Sequence, residues 1–157
     1  MLFGHQEISD HIFSLIEAGR FSHGSLIAGP DQIGKITLLL SLFQRIHCEG
    51  GASDSLFAAS NTDTSTACGS CPSCKQIISG AFPDLLIIKT LEEKSTISVT
   101  QMREFLKQAY RAPVTGKYKF LIIEDAQLMT REASNALLKT LEEPPKSCLI
   151  FLTTSQP

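Results

Sequence analysis

The architecture of this chain is set by Ser25-Leu26-Ile27-Ala28-Gly29-Pro30-Asp31-Gln32-Ile33-Gly34-Lys35. Residues 25–28 predict a short β-strand that ends at the breaker pair Gly29-Pro30. From Lys35 to His47, apolar side chains recur with the spacing of a helix. Between the strand and the helix lies G-x4-G-K, the pattern of a phosphate-binding loop (P-loop), in which backbone amides hold the anion and the lysine reaches the outer phosphates. The candidate nucleotide-binding residues are Gly29, Gly34, Lys35, Ile36 and Thr37.

The P-loop departs from its usual pattern directly after the lysine. A P-loop that binds Mg²⁺ has Ser or Thr there, whereas this chain has Ile36. Thr37 comes one residue later, about 100° further around a helix, and is not a simple replacement. Two interpretations remain open: weak nucleotide binding, and a vestigial turn that only packs the helix against the sheet.

Outward from this loop, strands and helices alternate. Strands are predicted at 85–88, 120–123 and 148–152, and helices at 7–18, 99–110 and 131–141. The run at 85–88 is apolar throughout, which is typical of a strand covered on both faces. Ser98 and Gln101 fit a capping box, and the helix that follows has Tyr110 on its apolar face. The fold class is therefore α/β, with a parallel sheet flanked by helices.

An acidic pair, Glu124-Asp125, follows the strand at 120–123. P-loop NTPases place a second acidic motif at such a strand end, usually with Asp before Glu. The order here is reversed. Glu124 would therefore bind a metal in a different geometry from the usual Asp. Asp125, one methylene shorter than Glu, would reach less far towards an attacking water. The alternatives are a pair active in catalysis and, favoured here, a solvated pair at a strand end.

Four of the five cysteines form a candidate metal site. Cys68, Cys71 and Cys74 have the spacing C-x2-C-x2-C, and Cys48 lies upstream across a polar segment, 49–67, that we expect to be a mobile loop. Four thiolates are enough for a closed, structural Zn²⁺ site. The alternatives are His47 as a substitute ligand, an Fe–S cluster, and reduced thiols without a metal. Cys148, within an apolar run, is predicted to be a core residue.

Composition excludes several classes of protein. The chain has 157 residues, of which 43% are hydrophobic and 19% charged, so it is not wholly disordered. A formal net charge of −2 argues against a basic, nonspecific nucleic-acid binder. Neither a signal-peptide pattern nor an apolar run of about 20 residues is present, and we expect a cytoplasmic protein.

One further segment points to a family. The run Asn135-Ala136-Leu137-Leu138-Lys139-Thr140-Leu141-Glu142-Glu143-Pro144-Pro145 closely resembles the signature of bacterial sliding-clamp loaders, the gamma/tau and delta-prime subunits of DNA polymerase III. Other parts of the chain resemble the same family: Gly4-His5-Gln6, Ser22-His23-Gly24-Ser25-Leu26, the four cysteines, Gly116-Lys117-Tyr118-Lys119 and Thr153-Thr154 at the sensor position. The resemblance covers essentially the whole chain.

The resemblance implies an AAA+ P-loop domain over residues 1–157 with an inserted zinc module at about 48–75. The family's lid and collar domains and its arginine motif would lie beyond Pro157. The implied partners are the gamma/tau and delta subunits, the sliding clamp and, through the complex, primer-template DNA. The implied role is to help open the clamp and load it on DNA in replication, as part of a DNA polymerase holoenzyme.

Three hypotheses follow about activity. The departures at Ile36 and Glu124-Asp125 favour a delta-prime subunit that does not hydrolyse ATP itself, so ATP and Mg²⁺ are doubtful cofactors, whereas Zn²⁺ is expected. The alternative is an ATP-hydrolysing gamma/tau subunit. A zinc knuckle that binds nucleic acid directly is disfavoured, because Lys75 is essentially the only basic residue near Cys68–Cys74.

Overall fold

Helices and strands alternate along the chain in the computed structural model, which describes residues 6–50, 67–91, 95–114 and 118–156. The elements are α1 (Gln6–Glu17), β1 (Gly24–Ala28), α2 (Lys35–His47), α3 (Pro72–Ile78), β2 (Leu85–Ile88), α4 (Val99–Ala109), β3 (Lys119–Ile123), a 3₁₀ turn (Ala126–Leu128), α5 (Arg131–Glu142) and β4 (Cys148–Thr154). All predicted strands and helices are confirmed to within a few residues. No described helix is long and apolar enough to cross a bilayer.

The chain divides into two compact units. The sheet unit comprises Ser22–Ile36 and Pro83–Pro157, and the cysteine unit comprises Met1–Phe21 and Thr37–Phe82. The helix α2 begins in the sheet unit and continues in the cysteine unit.

A four-stranded parallel sheet forms the sheet unit, with the order β1-β4-β3-β2. The register pairs Ala28 with Thr154 and Ile123 with Leu152. The carboxyl ends of β1, β4 and β3 therefore lie together at one edge of the sheet, which is where ligands bind in open α/β sheets.

The helices α4 and α5 cover one face of this sheet. Their buried side chains share a core with alternate residues of the strands: Ile88, Met102, Phe105, Leu106, Ala109, Leu121, Ile123, Ala133, Leu137, Cys148 and Ile150. The predicted capping box is confirmed, because Ser98 caps Gln101 N–H while the Gln101 side chain accepts from Ser98 N–H. Cys148 is 1% exposed, which confirms its place in the core.

Two predictions of burial are wrong. The strand β2 is not covered on both faces, since it lies at the edge of the sheet and Ile87 is 41% exposed. Tyr110 is not part of the apolar face of α4, because the helix ends at Ala109 and the Tyr110 side chain is 60% exposed.

In the cysteine unit, ring stacking and one ion pair join the elements. Phe43 of α2 packs edge-on against Phe82, with ring centroids 5.3 Å apart. Arg45 of α2 pairs with Asp10 of α1, and its guanidinium lies 3.8 Å from the centroid of the Phe13 ring. These contacts fix α1 against α2.

Some predicted features lie outside the described residues. They are most of the polar segment 49–67, part of the turn at 113–116, and parts of the family-like segments at 4–6 and 116–119. The helix α3 and the 3₁₀ turn were not predicted from the sequence.

Candidate nucleotide and metal sites

The P-loop follows β1, and its lysine bonds to the loop's own backbone. Lys35 Nζ donates to the carbonyl oxygens of Gly29 at 2.8 Å and Pro30 at 2.9 Å. Gly34 has a φ of 92° and Gln32 a φ of 61°, both in the left-handed region. A glutamine there carries strain of roughly 1–2 kcal/mol. The two hydrogen bonds from Lys35 therefore join the end of the P-loop to its beginning.

The two positions after the lysine differ in chemistry and exposure. Ile36 is half-buried and has no hydroxyl, whereas Thr37 is exposed. The residue directly after Lys35 thus offers no oxygen ligand to Mg²⁺.

The acidic pair lies at the same edge of the sheet as the P-loop. Glu124 continues β3, because its N–H donates to Ile88 O at 2.9 Å. Asp125 then turns away with φ 52° and ψ 60°. Its carboxylate accepts from Gln127 Nε2 at 3.2 Å, and the same Nε2 donates to Ser155 Oγ at 3.2 Å. Asp125 is therefore engaged in a network of the chain's own side chains.

The threonines at the end of β4 connect this edge of the sheet. Thr153 and Thr154 are 1% and 4% exposed. Thr153 Oγ1 accepts from Asp125 N–H at 3.2 Å, and Thr154 O accepts from Gly29 N–H at 3.1 Å. The strand β4 thereby ties the start of the P-loop to the acidic pair, a link that the sequence reasoning missed.

The four predicted cysteine ligands come together in the cysteine unit. The Sγ atoms of Cys48, Cys68, Cys71 and Cys74 all lie within 4.8 Å of one another, and none is in a disulfide. Successive amides donate to the sulfurs: Cys68 N–H to Cys48 at 3.3 Å, Cys71 N–H to Cys68 at 3.3 Å, and Cys74 N–H to Cys71 at 3.4 Å. Such amides stabilise negative charge on sulfur.

The short helix α3 positions two of these sulfurs. Cys71 is its N-cap residue, and Pro72 begins the helix with a φ already suited to it. Cys74 lies three residues further on, one turn away, with its side chain fully buried. The two cysteines of this C-x2-C pair therefore lie at the N-cap and in the first turn of α3.

The thiols differ in how readily they ionise. The Cys71 amide and the Ser70 amide and hydroxyl donate to Cys68, and these bonds lower its pKa to about 5. Burial opposes ionisation of Cys71, yet amide N–H groups of Cys74 and Glu49 outweigh it and the pKa is lowered. Burial raises the pKa of Cys74. The cluster thus combines thiols that ionise easily with one that needs a nearby positive charge to ionise.

Gly50 is a further residue of this site that the sequence reasoning missed. A Cβ at this position would overlap Cys68 Sγ, would lie 2.7 Å from Cys68 Cβ and would approach Cys48 Sγ to 3.6 Å. Only glycine fits against the sulfurs, and its place two residues after Cys48 was the available signal.

His47 is not grouped with the sulfurs. Its ring is buried 4.2 Å from the Phe43 centroid and 5.1 Å from the Phe82 centroid, and Nδ1 is 3.1 Å from Phe43 O. The structure therefore gives no support to His47 as a substitute ligand.

The donor set fits a tetrahedral thiophilic metal. Zn–S bonds of about 2.3 Å imply S···S separations of about 3.8 Å, and the four sulfurs lie within 4.8 Å of one another. A disulfide would require about 2.05 Å. Four converging sulfurs with amide donors can therefore hold a metal with small adjustments of the side chains.

Comparison with known proteins identifies the family. A family model described as "DNA polymerase III, delta subunit" matches residues 4–157. The chain belongs to this family. The predicted resemblance to DNA polymerase III subunits is thereby confirmed.

Individual relatives have the names of gamma and tau subunits. The chain is 31% identical over 154 residues to the DNA polymerase III subunit tau of Escherichia coli K12, covering 98% of this chain and 22% of that protein. It is 32% identical to subunit gamma of Buchnera aphidicola, covering 98% and 39%, and 30% identical to subunit tau of Bacillus subtilis, covering 98% and 25%. The chain thus spans less than half the length of these relatives.

A solved structure supports the fold. The chain is similar to a DNA polymerase III gamma subunit-related protein of Thermotoga maritima, with a TM-score of 0.57 and 20% identity over 94% of this chain and 39% of that one. At this identity the similarity shows the α/β fold alone.

Proposed function

We propose that the chain is the AAA+ domain of a delta-prime subunit in a cytoplasmic DNA polymerase III clamp loader. In this role it helps the gamma/tau and delta subunits to open the sliding clamp and load it on primer-template DNA, and it does not hydrolyse ATP itself. Family membership supports the complex. The observation that carries the lack of hydrolysis is Ile36, which offers no Mg²⁺ ligand directly after the P-loop lysine.

Two contacts add support to this proposal. Lys35 Nζ already donates to two carbonyls of its own loop, which leaves one of its three N–H groups for a phosphate unless one of these bonds is exchanged. The Asp125 carboxylate is bonded to Gln127, and neither contact prepares a water for attack on a phosphate. In this proposal Glu124 and Asp125 have a structural role at the carboxyl ends of the strands and no role in catalysis.

The test is ATP turnover by a clamp loader reconstituted with this protein as one subunit. We expect Lys35→Ala in this subunit to leave clamp- and DNA-stimulated turnover unchanged. The same lysine substitution in the partner gamma/tau subunits is the positive control, and it should abolish turnover. A large loss of turnover caused by Lys35→Ala in this subunit would refute the proposal.

The second candidate is an ATP-hydrolysing gamma/tau subunit. The observation that favours it is identity near 30% to proteins named gamma or tau over nearly the whole chain. In that case Glu124 and Asp125 would be catalytic, and Gly29, Gly34, Lys35, Ile36 and Thr37 would surround the nucleotide. Calorimetry with Mg·ATP at millimolar concentration decides, because a gamma/tau subunit must bind nucleotide and the absence of heat excludes it.

We also propose one structural Zn²⁺ per chain, held by Cys48, Cys68, Cys71 and Cys74. The convergence of the four sulfurs within 4.8 Å supports it. A closed four-sulfur site leaves no open position for a substrate, so the metal would stabilise the fold around α3. Metal analysis of protein purified without chelators should give one zinc per chain, and a clearly lower value would contradict the proposal.

A further inference from the structure

A hydrogen bond between two side chains that are not cysteines joins the two halves of the cysteine cluster. Ser73 Oγ donates to Glu49 Oε1 at 2.9 Å. Glu49 directly follows Cys48, just beyond the end of α2, whereas Ser73 lies in α3 between Cys71 and Cys74. The two bonded residues are 24 positions apart in the chain. The bond therefore connects the upstream cysteine to the helix that positions two of the others.

The surroundings of this bond give it a defined geometry. Ser73 is 8% exposed, and a buried hydroxyl without a partner is unfavourable. Glu49 is half-buried and supplies the acceptor. A hydrogen bond to a carboxylate is stronger than one between two neutral groups. The bond therefore holds residue 49 in place against α3.

The backbone on both sides of this bond contacts the sulfurs. The amide N–H of Glu49 donates to Cys71 Sγ, where it stabilises negative charge. One residue later, Gly50 packs so closely on Cys68 Sγ that no side chain fits at this position. Because Ser73 fixes the Glu49 side chain, residues 49 and 50 are held in contact with two different sulfurs.

The Glu49 carboxylate is not itself a candidate ligand. The four atoms that converge within 4.8 Å are all sulfurs, and no carboxylate oxygen of the described residues is grouped with them. A carboxylate outside the ligand set can still act on a metal site by orienting the groups that bind the metal. Glu49 is placed for this indirect action, since it contacts α3 through its side chain and Cys71 through its amide.

We propose that Glu49 and Ser73 are a positioning pair for the metal site. Their hydrogen bond holds Cys48 and the two sulfurs of α3 in the arrangement that binds zinc. This role rests on the proposed Zn²⁺ site. Ligands that are ordered before the metal arrives lose less conformational entropy when it binds. Removing the pair should therefore weaken zinc binding although all four sulfurs are still present.

The test measures the zinc affinity of the full chain by competition with a chromophoric chelator. We expect Glu49→Ala to weaken zinc binding at least about tenfold, the lower end of what substitutions around the ligands of a metal cause. Glu49→Gln keeps an oxygen that accepts from Ser73 and removes only the charge. Its zinc affinity should therefore stay within about threefold of the wild-type value.

Matched controls make the same substitutions elsewhere in the cysteine unit. Glu17→Ala removes an exposed carboxylate from the end of α1. Ser41→Ala removes a hydroxyl that donates at 2.8 Å to Leu38 O within α2. Both control variants should bind zinc with the wild-type affinity. Circular dichroism of each variant confirms that it is folded before its affinity is compared.

A double-variant cycle tests whether the two residues act together. Ser73→Ala removes the donor of the same hydrogen bond, so it should weaken zinc binding about as much as Glu49→Ala. The double variant should lose no more affinity than the weaker-binding single variant, because the bond can be lost only once. Losses that add in the double variant would show that Glu49 and Ser73 do not act as a pair.

Two further results would overturn the positioning role while the zinc site stands. The first is a difference of less than about tenfold between Glu49→Ala and its control Glu17→Ala. The second is an equal loss in Glu49→Gln and Glu49→Ala, since the charge and not the hydrogen bond would then matter. A wild-type chain that binds no zinc would overturn the zinc site itself, and the positioning pair with it.

Discussion

Replacing the buried cysteine of the candidate metal site should cost most of its zinc affinity. Cys74 is fully buried and supplies one of four converging sulfurs. Structural zinc in zinc-finger peptides binds with about 10–16 kcal/mol, so each of four ligands accounts for roughly 2.5–4 kcal/mol. Tenfold in affinity corresponds to about 1.4 kcal/mol, so Cys74→Ser should weaken zinc binding by about 10²–10³-fold.

The assay is competition with a chromophoric zinc chelator, combined with elemental analysis of the purified protein. Wild type should retain one zinc per chain in a chelator excess that strips the Cys74→Ser variant. Cys148→Ala is the matched control, because Cys148 is equally buried but belongs to the core of the sheet unit. Its zinc affinity should equal that of wild type.

Zinc affinity of Cys74→Ser within tenfold of the wild-type value would contradict this expectation. Equal loss of zinc from both cysteine variants would contradict it too, since the loss would then follow from general destabilisation. Thermal unfolding with and without chelator distinguishes these results, because only the site variant should become insensitive to the chelator.

Three further predictions concern single residues. Gly50→Ala should weaken zinc binding by about tenfold or more, because its Cβ overlaps Cys68 Sγ; unchanged affinity by chelator competition would contradict this geometry. Ser98→Ala should lower the free energy of unfolding by about 1 kcal/mol in urea titrations, since it removes the cap of Gln101 N–H; an effect below the error of the fit would show that the cap is not needed. Burial raises the pKa of Cys148 to about 11, so the protonated thiol favours the folded state and this stabilisation is lost as pH rises from about 9 to 11. Between pH 8 and 10.5 wild type should therefore lose more stability than Cys148→Ala, by about 2 kcal/mol, and parallel pH profiles would refute the assignment.

Local signals in the sequence predicted most elements of the fold. The helix α2 was predicted from Lys35 to His47, the bounds it has in the structure, because a P-loop pattern fixes its start and apolar spacing continues to its end. Ser98 and Gln101 are three residues apart, so their capping box is visible in the sequence alone. The four cysteines converge as their spacing predicts.

The features that were missed depend on contacts distant in the chain or on weak local signals. The exposure of Ile87 follows from the position of β2 at the edge of the sheet, which no local pattern reveals. The bond from Asp125 N–H to Thr153 joins residues 28 apart, and it exists because β3 and β4 are neighbours. The helix α3 was missed because Cys71, its N-cap, is not among the residue types that usually mark a helix start.

The two candidate sites differ in what a ligand would have to displace. At the edge of the sheet, Lys35 and Asp125 already have partners within the chain, and Thr154 Oγ1 donates to Gln156 O at 2.9 Å. A phosphate there would compete with these bonds, which offsets part of the stabilisation from its own bonds to Lys35. In the cysteine cluster, four sulfurs within 4.8 Å would repel one another as thiolates. The attraction of each thiolate to a bound cation would outweigh that repulsion. Ligand binding should therefore stabilise the cysteine unit strongly and the P-loop weakly. Such a difference would agree with the proposed role, in which the metal stabilises the fold and the partner subunits turn over ATP.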